Sequence, residues 1–82
     1  MFTVYFLYSQ SYDRYYVGVT GELNKRLSQH NSGQSKSTKP FLPWLVVYTE
    51  QYQDKQAAYK REFFLKSPAG YLEKKKIIAS IR

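Results

Sequence analysis

Two runs, Phe2-Thr3-Val4-Tyr5-Phe6-Leu7-Tyr8 and Tyr15-Tyr16-Val17-Gly18-Val19, separated by a polar break over residues 9–14, decide how this chain is read. Both are dense in β-branched and aromatic residues and the break is short, so together they predict a β-hairpin. The parity of its turn fixes which side chains share a face, because a one-residue slip moves every side chain to the other side. If paired residue numbers sum to 21, as a two- or four-residue loop would give, Tyr5 stands opposite Tyr16 on one face. A three- or five-residue loop without a bulge would separate them.

Working outward, Thr20 offers an N-cap, and Leu23, Leu27 and His30 recur at helical spacing before Asn31-Ser32-Gly33, which predicts a helix over about 21–32. Arg26 and His30 are four apart and share a side of it. A polar loop over 33–43 carries Lys36 and Lys39, and Trp44-Leu45-Val46-Val47-Tyr48-Thr49-Glu50 predicts a third strand that Pro40 and Pro43 keep from starting earlier. Asp54 caps a second helix over roughly 55–66, with Ala57, Ala58, Phe64 and Leu65 as its apolar stripe. Arg61 projects into that stripe and Glu62 lies on its border, so each needs a partner or a counter-ion. Ser67-Pro68 opens a third helix over about 68–80, which carries Lys74-Lys75-Lys76. The expected fold is α+β: a small three-stranded antiparallel sheet flanked by helices, in the order β-β-α-β-α-α, forming one domain over residues 1–82.

A chain of 82 residues buries only about 60% of the surface it would expose unfolded, so its core must be dense in large side chains. The 18% aromatic content supplies them. The absence of Cys excludes disulfides, thiolate zinc sites and cysteine nucleophiles, and the single histidine excludes a multi-histidine metal centre within one chain. Any metal must then be a hard cation on oxygen ligands, such as Mg²⁺ or Mn²⁺. Thirteen Lys and Arg against six Asp and Glu give a net charge of +7, which favours an anionic partner, nucleic acid ahead of an acidic membrane surface or protein. Eight of the basic residues fall in 55–82, against Glu62 and Glu73. The longest apolar stretch, residues 41–48, is far short of the ~20 needed to span a bilayer and contains Pro43, and no signal-peptide pattern opens the chain. A cytoplasmic location is expected.

Thr3-Val4-Tyr5 and Tyr16-Val17-Gly18 on the paired strands, Arg26 and His30 on the first helix, Pro43-Trp44 at the third strand and Glu62 on the second helix resemble the GIY-YIG nuclease domain. The similarity covers about residues 2–78, as in short stand-alone members. Thr3 stands where the family has the glycine of its first tripeptide; as a plain strand residue it would leave the site intact. The resemblance implies a divalent-metal-dependent endonuclease acting on DNA, with structural or weak sequence selectivity. In it, Tyr5 or Tyr16 serves as general base while the other aligns water or phosphate, Arg26 meets the phosphate, His30 bonds the site or assists proton transfer, and Glu62 holds Mg²⁺ or Mn²⁺.

The chemistry suits these residue types. Phosphodiester hydrolysis requires an activated water, positive charge on the developing pentavalent phosphorus and relief for the departing oxyanion. Arg26 has a donor fork that matches phosphate, and Glu62 can be the sole protein ligand of a Mg²⁺ that keeps its waters. A phenol near pKa 10 is a poor base unless cations lower it. Taken singly, each residue also reads blandly: the tyrosines as strand packing, His30 as a satisfied buried histidine, Glu62 as the i,i+4 partner of Lys66. Lys36, Lys39, Lys74, Lys75 and Lys76 are candidate phosphate contacts conferring salt-sensitive, sequence-independent affinity. With no reader element evident in 82 residues, sequence specificity would fall to a second copy or a partner protein. RNA remains an alternative substrate, and a nucleic-acid-binding module that does not cut is the alternative function.

Overall fold

The hairpin forms in the computed structural model, which describes residues 1–81, from antiparallel strands β1 (Phe2–Ser9) and β2 (Arg14–Thr20). Its closing pair is Ser9 with Arg14, and Asp13 in the turn has φ 50°, a left-handed conformation that Asp tolerates. The turn thus lies one residue further along than a pairing that sums to 21 requires. Tyr5 pairs with Gly18 and Leu7 with Tyr16, so the two motif tyrosines are diagonal neighbours on one face and not direct partners.

Helix α1 (Leu23–Asn31) starts two residues later than expected, because the Thr20 hydroxyl accepts the Glu22 N–H at 3.1 Å in a turn that precedes the helix and does not cap it. The connection that follows contains a 3₁₀ turn, Lys39–Phe41, and a cis Leu42–Pro43 peptide. Strand β3 (Leu45–Tyr52) excludes Trp44. The reason is local: the Asn31 side chain accepts the Trp44 N–H at 2.7 Å and donates to its carbonyl at 3.0 Å, which takes that peptide out of the ladder. At its far end β3 runs past Glu50, since Tyr52 pairs with Phe2.

Helix α2 (Lys55–Lys66) has the expected bounds, with the Asp54 side chain accepting the Gln56 N–H at 3.2 Å. Phe64 stays exposed at the margin of its apolar stripe, whereas Ala58 and Leu65 are buried. The stretch after Ser67 is helical from Pro68 as expected, but its first turn is not α-helical. It is a 3₁₀ turn, Pro68–Gly70, and α3 spans Tyr71–Ile81. Ser67 donates its hydroxyl to the Phe64 carbonyl at 2.7 Å and so does not cap the segment. A side chain at Gly70 would collide with that same carbonyl, which fixes a glycine where α3 turns back on α2.

The sheet order is β2-β1-β3, all antiparallel, with the most apolar run at the centre and buried on both sides. Val4, Phe6 and Val17 pack against Ala58, Leu65 and Ile77, which places α2 and α3 on one face. Tyr5 and Leu7 pack with Trp44, Leu23 and Leu27, which places α1 and the long connection on the other. A register shift of β3 between Phe6 and Leu7 lets the consecutive Val47 and Tyr48 both pack with the first cluster, while Val46 joins the second. Among the described residues no helix is long and apolar enough to cross a membrane.

Candidate active site

Tyr5 is the residue around which the others gather. It is 1% exposed on the central strand, and its ring lies across β2 where Gly18 offers no side chain. A Cβ at position 18 would meet the Tyr5 hydroxyl and stand 2.5 Å from Cζ, so the glycine of the second tripeptide is a packing requirement of the tyrosine of the first. Thr3, two residues earlier, is accommodated as a strand residue whose hydroxyl donates to Gln51 Oε1 at 3.1 Å.

From Tyr5 a buried hydrogen-bond chain runs into the molecule. Its Oη lies 3.1 Å from His30 Nε2, and His30 Nδ1 lies 2.8 Å from Thr38 Oγ1. Thr38 Oγ1 also reaches the Ser35 carbonyl at 3.4 Å. A carbonyl can only accept, which favours the neutral tautomer with the proton on Nδ1, leaving Nε2 to accept from Tyr5. Burial and then the Arg26 charge lower the His30 pKa, in keeping with that neutral form. His30 is therefore a satisfied buried histidine and a member of this cluster at once.

Tyr16 is half-buried beside these groups, its ring centroid 6.5 Å from Tyr5 and 5.1 Å from His30. Arg26, one helical turn before His30, donates from Nη1 to Gln29 Oε1 at 3.1 Å and acts on the Tyr5 phenol as donor and as charge. Burial pushes that phenol up to about 12; Arg26 opposes the rise, while Tyr16 and the Glu62 carboxylate add to it. Glu62 thus makes itself felt at Tyr5 although α2 packs on the opposite face of the sheet. β2 is an edge strand, and α2 reaches past it: Lys66 Nζ sits 5.0 Å above the Tyr16 ring and 3.2 Å from Glu62 Oε2. Tyr16 and His30 thus lie against Tyr5, and the charges of Arg26 and Glu62 both act on its phenol.

Among the described residues no three His, Cys, Asp or Glu side chains cluster to make a protein cage for a metal. What the site offers is one carboxylate, already paired with Lys66, together with an arginine and two phenols that act on one another around Tyr5. The lysines divide. Lys36 and Lys39 are exposed in the connection, with the Lys39 stem along Gly33 near the end of α1. Lys74 shares with Lys66, Ser67 and Tyr71 a hollow of about 440 Å³, whereas Lys75 borders a separate one of about 390 Å³ with Asp13, Tyr15 and Ile78. Lys76 is exposed on α3.

Three contributors escape a reading of the sequence. Thr38 orients His30 from a polar loop with no periodicity to mark it. Asn31 seats Trp44, whose Nε1 donates to the Thr38 carbonyl at 2.9 Å and so steadies that loop. Glu50 answers the question posed by Arg61, accepting from its Nε at 2.9 Å and its Nη2 at 3.0 Å, with Glu73 adding a contact at 3.2 Å.

Comparison with known proteins identifies the family and the fold. A family model described as the GIY-YIG catalytic domain matches residues 1–76. A UPF0213 protein of Bacillus cereus is 40% identical over 53 residues, 63% of this chain and 55% of the relative. One from Staphylococcus aureus is 40% identical over 63 residues, 76% of this chain and 73% of the relative. The match thus spans about half the length of the Bacillus cereus relative. The solution NMR structure of a UPF0213 protein from Bacillus halodurans is 28% identical, with a TM-score of 0.54 over 100% of this chain and 86% of that one. This chain belongs to the GIY-YIG family, whose domains are generally nucleases that act on DNA.

Proposed function

We propose that the domain is a divalent-metal-dependent endonuclease that hydrolyses DNA phosphodiesters with structural or weak sequence selectivity. One observation supports this reading: Tyr5 is in contact with His30 and Tyr16 and feels the charges of Arg26 and Glu62, five residues drawn from four different elements. Glu62 suits Mg²⁺ or Mn²⁺, which accept one protein carboxylate and complete their shell with water and substrate oxygens. Such an ion, when bound, supplies charge to the phosphate and acidifies a bound water.

The chain's own residues divide the remaining work. Arg26 presents its donor fork to the phosphate as negative charge builds there. Tyr5, buried and held protonated by its high pKa, is a positioning residue that fixes Arg26 and His30 relative to each other. Tyr16, the more accessible phenol, can touch the attacking water and take its proton. Lys36, Lys39 and Lys74–Lys76 supply phosphate contacts further along the strand. A second copy or a partner protein would supply any sequence specificity.

A non-cutting nucleic-acid module is favoured by one contact, the Lys66 ammonium already on the Glu62 carboxylate. Plasmid, branched and single-stranded DNA, and an RNA of the same sequence, incubated with Mg²⁺ or Mn²⁺, separate the two. The nuclease reading expects cleavage that Glu62→Ala and Arg26→Ala each reduce by about a hundredfold or more. Binding without cleavage, identical in wild type and both variants, would establish the module; cleavage by Glu62→Ala at the wild-type rate would remove Glu62 from the metal.

A further inference from the structure

The solvent face of α2 carries a pair of aromatic rings that the fold does not use. Phe63 is 75% exposed and Tyr59, one turn before it, 46% exposed. With Gln56 and Lys60 they line a shallow depression of about 380 Å³. Elsewhere exposed aromatics have company: Tyr12 packs edge-on to Phe41 with ring centroids 5.4 Å apart, and Arg14 covers Phe41 at 4.4 Å. Among the described residues Phe63 has no such ring or cation partner.

The position of the pair is what gives it meaning. Lys55, Tyr59, Glu62 and Lys66 are spaced i, i+4, i+7 and i+11, so they form one stripe along α2. Tyr59 is therefore the residue next to Glu62 on that stripe, about 4.5 Å along the axis at 1.5 Å per residue. Phe63 stands beside Tyr59 at i+4. Lys55 Nζ lies 5.8 Å over the Tyr59 ring, and Lys60 flanks the depression. Exposed rings set among lysines suit a ligand that is flat, apolar on its faces and anionic along its backbone.

We propose that Tyr59 and Phe63 form a stacking platform for an unpaired nucleobase next to the scissile phosphate, so that the site selects single-stranded or frayed DNA over intact duplex. A base inside a duplex has both faces covered by its neighbours, whereas a splayed base can stack on a side chain whatever its identity. The inference rests on the Glu62 face being the phosphate site.

The test is binding in EDTA, read by anisotropy of a fluorescein-labelled single strand and of the same strand in a blunt duplex. Wild type binds the single strand more tightly. Tyr59→Ala and Phe63→Ala each weaken single-strand binding by about tenfold and duplex binding by less than about twofold. Phe63→Leu, which keeps apolar area but no π face, behaves like Phe63→Ala. Phe63→Trp retains affinity, and its emission is quenched when the strand is added, against the steady background of Trp44, which is 3% exposed. Wild-type single-strand affinity in both alanine variants, with cleavage intact, overturns the platform and leaves the nuclease reading standing. The same unchanged affinity, with Phe63→Ala turning a sedimenting dimer into a monomer, assigns the patch to a second copy and overturns the platform as well. A wild type that neither binds nor cuts any nucleic acid defeats both readings together.

Discussion

A single methyl group at position 18 tests the centre of the site. Gly18→Ala would place that methyl against the hydroxyl and Cζ of a Tyr5 ring that is fully surrounded, so the ring must leave its rotamer or the strands must part. Overpacking of this kind costs about 1–3 kcal/mol. The variant is expected to lose that much in denaturant unfolding and to lose DNA cleavage with it; wild-type stability would show that the ring moves freely. The glycine itself is visible in the sequence, but its cause is not, because that depends on a register two residues from the one the hairpin pattern suggests. His30 gives a second test. Its folded pKa lies below the value near 6.5 of the unfolded chain, so below about pH 6.5 the unfolded state binds the extra proton. The stability contributed by neutral His30 is thus present above pH 6.5 and is lost as pH falls through the folded value. Between about pH 7 and pH 5 the wild type should lose more unfolding free energy than His30→Gln does. A parallel decline in the two proteins would mean that His30 titrates as freely in the fold as in the unfolded chain.

At the scale of the element, α2 has two adjacent charged residues with opposite duties. Arg61 points inward to a network centred on Glu50, which also accepts from Tyr48 at 2.6 Å and Tyr52 at 2.8 Å. Burial pushes the Glu50 carboxyl up, but the hydrogen bonds from Arg61, Tyr48 and Tyr52 outweigh it and hold the pKa below the usual value. The Tyr48 phenol is correspondingly raised to about 12, first by its bond to Glu50. Arg61→Ala would leave a mostly buried carboxylate without its cation, at a cost of about 2–3 kcal/mol. Because a depressed carboxyl pKa adds stability above its unfolded value that is lost as pH falls through the folded one, the wild type's advantage over the same variant should shrink as pH falls through the acid range. Unchanged urea and acid transitions would mean that Tyr48 and Tyr52 suffice for Glu50. The α2 stripe and the Asp54 cap were legible in sequence because both are local patterns. The partner of Arg61 was not, since it lies eleven residues away on β3 and only the sheet order brings it near. Trp44 shows the converse. Its apolar neighbours read as strand, and a side chain from the end of α1 removed it from the ladder.

Across the whole molecule, the site depends on a sheet covered on both faces and only three strands wide. Four of the five site residues project on the α1 side, and Glu62 joins them from the other layer because β2 is an edge that α2 can reach past. In the sequence this convergence was available only as a spacing pattern across nearly the full chain; no single segment contains it. The same three-layer arrangement splits a lysine run that looks continuous in the sequence. Lys74 borders the hollow that also holds Lys66, next to Glu62, whereas Lys75 leans over Tyr71 at 5.3 Å and borders the hollow by Asp13 and Tyr15. A strand held at the β2 edge has Lys74 on its path through Lys66, and Lys75 off it. Each phosphate neutralised contributes roughly 0.7 to the log–log salt slope for a single strand. Lys74→Gln should therefore flatten the slope of single-strand binding by about that amount, while Lys75→Gln flattens it by much less. Equal effects of the two substitutions, measured by titration at several salt concentrations, would mean that the strand crosses α3 broadly and that the hollow beside Lys66 does not guide it.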